Sequence, residues 1–356
     1  MEFAAKIDLS RYSALACPSE AEYLAVCHSL EDLREAFVYA RQHTLPVNVL
    51  GGGSNVILPE RLPGLVILNR LPGVRFQTQD PDTVLVEAGA GEIWDGLVRQ
   101  SVGLGLRGIE NLILIPGRVG AAPIQNIGAY GVELSDSLQS VHVYDAEQDQ
   151  AFLLSRQDCK LAYRDSIFKT RAGRHWVVTG LTLCLSRQRP FTLEYADLKQ
   201  RWMHEEGGRE HPEAVAQVIE RLRRAKLPDP AEIPNAGSFF KNPVVDSVAF
   251  QALKARFPDL VAYPVSAQSS EGAGMQTDRV SAWKLAAGWL IDKAGWKGRT
   301  TGGLGCHALQ ALVLINPGRR PASELLSFAR QIQADVYDRF GVALEPEPVL
   351  LGAEWT

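Results

Sequence analysis

An α+β fold is what this sequence predicts, from three features. Strand-like apolar runs and amphipathic helical segments follow one another without the regular alternation of a doubly wound sheet. The 356 residues are 46% hydrophobic and 22% charged, enough to bury a sizeable core and at odds with global disorder. The length corresponds to two or three domains of roughly 100–200 residues.

The elements follow in order. Residues 30–42 (LEDLREAFVYARQ) space their apolar side chains by three and four, predicting an amphipathic helix with Ser29 as N-cap. LPVNVLGGGSNVIL (45–58) reads as a strand, a glycine-rich turn and a second apolar run. Residues 62–79, containing LVILNRL, and 83–90 (TVLVEAGA) read as strands, and 92–102 as a helix. The stretch 103–134 is rich in glycine yet apolar, where a surface loop is more polar, and this predicts backbone drawn close to a bulky ligand. Strands are expected at 141–146 and 175–185, and the polar stretch 186–212 marks a boundary. Residues 213–226 form a strongly amphipathic helix, and three prolines make 227–237 a loop. The insertion-like 269–283 reads as a flexible loop. Helices over 281–294 and 322–340 flank a strand at 311–316, and 340–352 is strand-like.

Several function classes are excluded at this level. Lys+Arg total 37 against 41 Asp+Glu, a net charge of −4, so nucleic acid is not an expected partner. The five cysteines are odd in number and lack CxxC spacing, which fits a reducing compartment rather than disulfides or zinc. The seven histidines show no metal spacing and HExxH is absent, so no metal is expected. The N-terminal MEFAAKIDLSRYS is charged too early for a signal peptide, and no apolar run reaches the ~18–20 residues that span a bilayer. A soluble cytoplasmic protein with no membrane partner is expected.

Five segments carry chemistry. In GGGSN (51–55), consecutive N–H groups can form an anion nest flanked by Ser54 and Asn55; a tight turn is the alternative. Neither GxGxxG leading into a helix nor GxxxxGK[ST] is present there. PGRVGAAPIQNIGAYG (116–131) leaves room for a ligand, with Gln125 and Asn126 able to bond a heterocycle edge or ribityl chain; a buried structural loop is the alternative. YRDSIFK (163–169) places Arg164 beside Tyr163 and Asp165, which alone fits a surface ion pair. In NAGSFFKNP (235–243), Gly237 permits a sharp turn, Ser238 projects from it, and Phe239 and Phe240 offer an apolar wall. GxSxG and a hydrolase triad order are absent, and a plain turn serine is the alternative. EPEP (345–348) supplies carboxylates that can be tuned by burial or left solvated. Residue chemistry alone ends at a site for a flat ligand near 51–55 and 116–131.

Taken together, LGGGSNVIL (50–58), ENLILIPGRVGAAPIQNIGAYGVEL (110–134), YRDSIFK (163–169), KLPDP (226–230), NAGSFFKNPVV (235–245), KLAAGWLID (284–292), QALVLIN (310–316) and FGVALEPE (340–347) resemble the UDP-N-acetylenolpyruvoylglucosamine reductase family. The pieces occur in family order over about 300 residues. LEYADL (193–198) resembles the family's first type, which closes a tyrosine-bearing loop over the substrate. Two departures stand out: Pro348-Val349 replaces the family's Val-Arg, and Ser13-Ala14-Leu15 replaces its Asn-Thr-Phe.

The resemblance implies a vanillyl-alcohol-oxidase-type (PCMH-type) FAD-binding fold of two subdomains, 1–70 and 71–212. It adds an α+β substrate-binding domain at 213–327 and a C-terminal helix and strand at 328–356. It implies non-covalent FAD, NADPH as co-substrate, and reduction of UDP-N-acetylglucosamine enolpyruvate by a monomer. FAD would be held by Gly51, Gly52, Gly53, Ser54, Asn55, Val56, Pro116, Gly117, Val119, Gly120, Ala121, Ala122, Gln125, Asn126, Gly128, Ala129, Tyr130 and Gly131. Ser238 would donate the proton, and Arg164 and Glu347 would polarise the substrate carboxylate. Glu347 is chosen over Glu345 by the family pattern, since strand alternation puts both on one face. Tyr163, Tyr195, Lys226 and Asn242 would hold substrate. A flavin oxidase of the same superfold and a non-catalytic nucleotide-binding module are the competing readings.

Overall fold

The computed structural model describes residues 1–265 and 282–352. Strands β1 (Ala4–Asp8) and β2 (Glu20–Cys27) lead into helix α1 (Leu30–Gln42), then β3 (Val47–Leu50), β4 (Val56–Ile57) and β5 (Arg61–Asn69). α1 begins where Ser29 Oγ accepts from Asp32 N at 3.0 Å, with Glu31 and Asp32 against the positive end of its dipole. The sheet order is β1-β2-β5-β3. β5 runs parallel to both neighbours, and Leu65, Val66, Ile67 and Leu68 are buried on both faces, which explains its unbroken apolar run.

The second unit contains β6 (Val74–Thr78), β7 (Thr83–Gly89), α2 (Trp94–Gly103), the short pair β8 (Gly128–Ala129) and β9 (Val132–Glu133), β10 (Leu138–Asp145), β11 (Gln150–Ser155) and β12 (Trp176–Ser186). Its sheet is antiparallel throughout, in the order β11-β10-β12-β7-β6. Val84, Val86 and Ala88 alternate inward along β7 and meet Trp94, Leu97 and Val98 of α2. Helices α3 (Ala196–Glu205) and α4 (Pro212–Lys226) follow. Val215, Val218, Ile219 and Leu222 of α4 are buried in the same cluster as β7, β10 and β12. The helix expected to open the substrate-binding unit at 213 therefore packs as part of the second unit, because its apolar stripe is covered there.

The third unit contains β13 (Asn235–Ser238), β14 (Val244–Asp246), α5 (Ser247–Arg256), β15 (Ala262–Val265), β16 (Ala282–Leu285), α6 (Ala287–Lys293), β17 (Thr300–Thr301), β18 (Leu304–Cys306), β19 (Val313–Ile315), α7 (Ala322–Phe340) and β20 (Val349–Leu350). Its two sheets have the orders β13-β19-β18-β17 and β14-β16-β15. α7 crosses the expected division at 327/328 without a break: Leu325, Phe328, Ile332 and Val336 all enter the core shared with Phe239, Phe240 and Leu290. The C-terminal piece is thus part of this unit.

Two local expectations are corrected. Residues 282–285 form β16 between β14 and β15 rather than the first turn of a helix, with Trp283 stacked on Phe250 at 4.0 Å. The helix starts at Ala287, where Asn242 Oδ1 accepts its N–H at 2.9 Å. The terminal segment is strand only at Val349–Leu350, which pairs parallel with β4; Pro346 and Pro348 lack the N–H a longer ladder needs. Most of the expected flexible loop, 269–281, lies outside the described residues. Among the described residues, no helix is long and apolar enough to cross a membrane.

Candidate active site

The nest expectation concerned the segment after β3. Gly52 and Gly53 bend it so tightly that a Cβ on Gly52 would lie 2.9 Å from Gly117 Cα, and one on Gly53, at φ +65°, would overlap the Tyr12 carbonyl. The glycines of 51–53 and 117 thus bring two backbone segments together, rather than only admitting a ligand as the composition implied. Ser54 Oγ donates to Pro116 O at 3.1 Å and closes the joint. Among the described residues, the N–H groups of Gly52, Gly53, Ser54 and Gly117 have no protein acceptor. Gly52, Ser54 and Gly117 line a cleft of about 400 Å³ whose walls also include Arg11 and Arg118.

Two half-buried cations support this corner. Arg118 Nη1 donates to Gly91 O, and Arg70 Nη1 donates to Gly51 O at 2.9 Å. Burial lowers the pKa of both, and repulsion from Arg118 adds to the effect at Arg70. Unpartnered N–H groups beside desolvated arginines suit a pyrophosphate, which supplies acceptors and counter-charge at once. The residues present therefore fit the diphosphate of FAD.

Other members of the predicted cofactor set are placed differently. The N–H groups of Val119, Gly120, Ala121 and Ala122 are bonded to Glu92, Ala90, Arg118 and Val119 carbonyls, and the Val119 and Ala122 side chains are buried in the core. Asn126 is 1% exposed and spends its amide on Glu133 Oε2, Ala162 O and Ser135 N. It organises its loop and leaves nothing for a ribityl chain. Gln125 Oε1 accepts from Asn55 Nδ2 at 2.7 Å, so its amide NH2 is the end left for a ligand. Tyr130, at φ +50°, lays its ring against Tyr195 with centroids 5.5 Å apart. Val56 belongs to β4, and Gly128 O accepts from Arg164 Nη2 at 3.1 Å. Gly131, at φ +83°, is pressed against Thr192, where a Cβ would lie 3.1 Å from Cγ2, while Ala129 pairs with Val132 in the β8–β9 turn.

The catalytic candidates converge through backbone pairing. Pro346 bridges Phe240, with Glu347 N donating to Phe239 O at 2.8 Å and Lys241 N to Glu345 O at 2.9 Å. This sets Glu347 beside the end of β13, whose last residue is the exposed Ser238 rather than a serine projecting from a turn. Phe239 and Phe240 are wholly buried and anchor the chain after β13 instead of walling the cleft. Arg164 Nε stands 3.0 Å from Glu347 Oε1, a charge contact rather than an aligned hydrogen bond. Burial pushes the Glu347 carboxyl up; Arg164, Lys169 and Lys241 pull it back only in part. Glu345 turns outward and pairs with Lys241.

Of the predicted substrate residues, Tyr163, Asn242 and Tyr195 lie near this group. Tyr163 is pushed up by burial, receives the Asn242 backbone N–H, and lies under Lys284 Nζ at 4.6 Å from its ring centroid. Asn242 itself caps α6 through Oδ1. Tyr195 heads α3, half exposed, within electrostatic range of Arg164, and Lys226 Nζ lies 3.6 Å from Asp197. Sequence reasoning missed Arg11, Arg70, Arg118, Lys169 and Lys284. All five lie inside quoted segments, but nothing in a linear motif shows which cations end up beside the site.

Residues 229–351 match the model of the UDP-N-acetylenolpyruvoylglucosamine reductase C-terminal domain, and 21–149 match an FAD binding domain. A UDP-N-acetylenolpyruvoylglucosamine reductase of Pseudomonas aeruginosa is 46% identical over 352 residues, covering 98% of this chain and 99% of its own. Another from Bordetella pertussis is 50% identical over 305 residues, covering 86% and 83%. The crystal structure of the reductase from Thermus caldophilus superposes with a TM-score of 0.64 at 25% identity, covering 98% of each chain.

Proposed function

This chain belongs to the UDP-N-acetylenolpyruvoylglucosamine reductase family, and from that premise we propose how its own residues carry the reaction. The fold is the expected one, a PCMH-type FAD-binding part followed by an α+β domain. The protein is a flavoenzyme that reduces the enolpyruvyl group of UDP-N-acetylglucosamine enolpyruvate in peptidoglycan precursor synthesis, with NADPH as reductant. We assign the units as 1–70, 71–226 and 227–352 by shared core, and take the protein to act as a cytoplasmic monomer on small-molecule substrates.

Gly52, Gly53, Ser54 and Gly117 hold the FAD diphosphate, with Arg11 and Arg118 as counter-charge. FAD, when bound, would supply the hydride chemistry that links NADPH oxidation to reduction at C3 of the enolpyruvyl group. Negative charge then develops at C2 and in the adjoining carboxylate, and needs positive charge and a proton nearby. Arg164 faces that carboxylate, its guanidinium held by Gly128 O and Glu347. Glu347, buried against Arg164, polarises the same group. Ser238 gives its hydroxyl proton to C2, and the charge of Lys241 eases the transient alkoxide. Tyr163, Tyr195, Lys226 and Asn242 bind the UDP and sugar portions around the cleft.

The observation that carries this reading is the desolvated Arg164–Glu347 pair stitched beside Ser238 by the 239/347 backbone bond. The test is an absorption spectrum followed by separate half-reactions. Wild type should be yellow and oxidise NADPH only with UDP-N-acetylglucosamine enolpyruvate present. Ser238→Ala should keep NADPH reduction of the flavin and lose ~10²–10⁴-fold in the second half-reaction, the scale of a lost general acid. Equal losses in both halves, or peroxide formation without NADPH, would defeat it.

A further inference from the structure

Arg164 occupies φ +53°, the left-handed region, although it is neither glycine nor asparagine. Such a backbone is disfavoured for a residue with a Cβ and persists only where neighbours over-determine it. Part of the constraint is the tight turn in which Asp165 N donates to Ala162 O at 3.1 Å and Ala162 N to Asp165 O at 3.0 Å. The other part comes from Lys169, five residues on in the same segment. Its Nζ donates to Arg164 O at 2.6 Å, while the adjacent Ile167 and Phe168 are buried and anchor its backbone.

We infer that Lys169 is a positioning residue for the enolpyruvyl half-reaction: its ammonium clamps the Arg164 peptide so that the guanidinium stays on Glu347, and it adds a second positive charge to that carboxylate. The inference rests on the roles given above to Arg164 and Glu347. Charge and geometry agree. The ammonium is partly buried and its charge is disfavoured by desolvation and by Lys241, so holding it there has a cost. What offsets that cost is the Arg164 carbonyl together with Asp165, Glu347 and Glu345. Glu347 is faced in turn by Arg164, Lys169 and Lys241, and its charge reaches Tyr163. Removing Lys169 thus frees Arg164 to leave its strained conformation and leaves Glu347 holding its proton to higher pH.

The test compares FAD-loaded Lys169→Met, Lys169→Arg and Glu347→Gln by rapid-mixing of each half-reaction across pH, with thermal melts alongside. Lys169→Met should leave flavin reduction by NADPH unchanged and slow substrate reduction by about 10²-fold, the usual effect of misplacing a reacting group by ~1 Å. The pH limb that Glu347→Gln abolishes should move to higher pH in Lys169→Met and return toward its place in Lys169→Arg. If the limb stays put in Lys169→Met, or both half-reactions slow together with a lower melting temperature, Lys169 is a plain structural residue and the inference fails. If Glu347→Gln leaves the limb in place, the reading of Glu347 fails first, and this inference with it.

Discussion

Gly53→Ala tests the cofactor corner most directly. The added Cβ would overlap the Tyr12 carbonyl oxygen and stand 2.8 Å from Tyr12 C and 3.1 Å from Ser13 Cα, so main chain must move. Left-handed backbone for alanine costs about 1–2 kcal/mol, and the overpacking adds about 1–3 kcal/mol. Together these are about 2–5 kcal/mol, and at about 2–4 °C per kcal/mol for domains of this size the melting temperature should fall by roughly 4–20 °C. Gly302→Ala is the control: its φ of +60° is nearly the same as the +65° of Gly53, but a Cβ there meets nothing within 4 Å. That variant should lose only about 1 kcal/mol, since alanine also recovers ~0.4–1 kcal/mol from the unfolded chain. FAD affinity separates the two further. Displacing one N–H from the diphosphate loses about 1.5–3 kcal/mol, or roughly 10–100-fold in Kd. Flavin fluorescence titration should show that loss for Gly53→Ala and none for Gly302→Ala. Equal melting temperatures and equal Kd values for the two variants would refute the argument that this close approach shapes the nest.

Two further outcomes follow from charge and burial. Glu347→Gln should slow enolpyruvyl reduction by about 10²–10³-fold, the scale of a lost electrostatic donor, yet leave the protein no less stable at pH 8. The folded pKa of Glu347 is raised, so its ionised form costs stability above that pKa and the cost vanishes as pH falls below the unfolded value. The melting-temperature difference between variant and wild type should therefore shrink on acidification, and a large destabilisation at pH 8 would contradict it. Burial lifts the thiols of Cys17 and Cys159 to about 11 and those of Cys27 and Cys306 to about 12. A thiol reagent at pH 8 should label at most Cys184 in native protein, and labelling of more than one cysteine before unfolding would show that these sites are open.

Much of the local architecture was legible because its causes are local. The cap at Ser29, the three-and-four spacing behind it and the alternation of Val84, Val86 and Ala88 all act within a few residues. The motif segments also singled out 51–55 and 116–131 together with Arg164, Ser238 and Glu347, and folding brings Arg164 and Glu347 within 3.0 Å of each other. What the glycines do there was not legible. Gly52 and Gly117 are pressed against each other, and only folding reveals that the close partner is backbone as well as ligand.

Tertiary packing decided the rest, for one physical reason: the free energy of a polar or apolar side chain depends on which distant segments remove it from water. Asn126 looked like a donor for a ligand until Glu133, Ala162 and Ser135 took up its amide. The amphipathic helix at 212–226 had an apolar stripe but no stated partner until the second sheet covered it. The strand at 282–285 owes its conformation to pairing on both edges and to the Phe250 ring, against a helical local pattern. Composition and motif order determined the family and its chemistry; desolvation of Arg164, Lys169 and Glu347 against one another exists only once the chain has closed on itself.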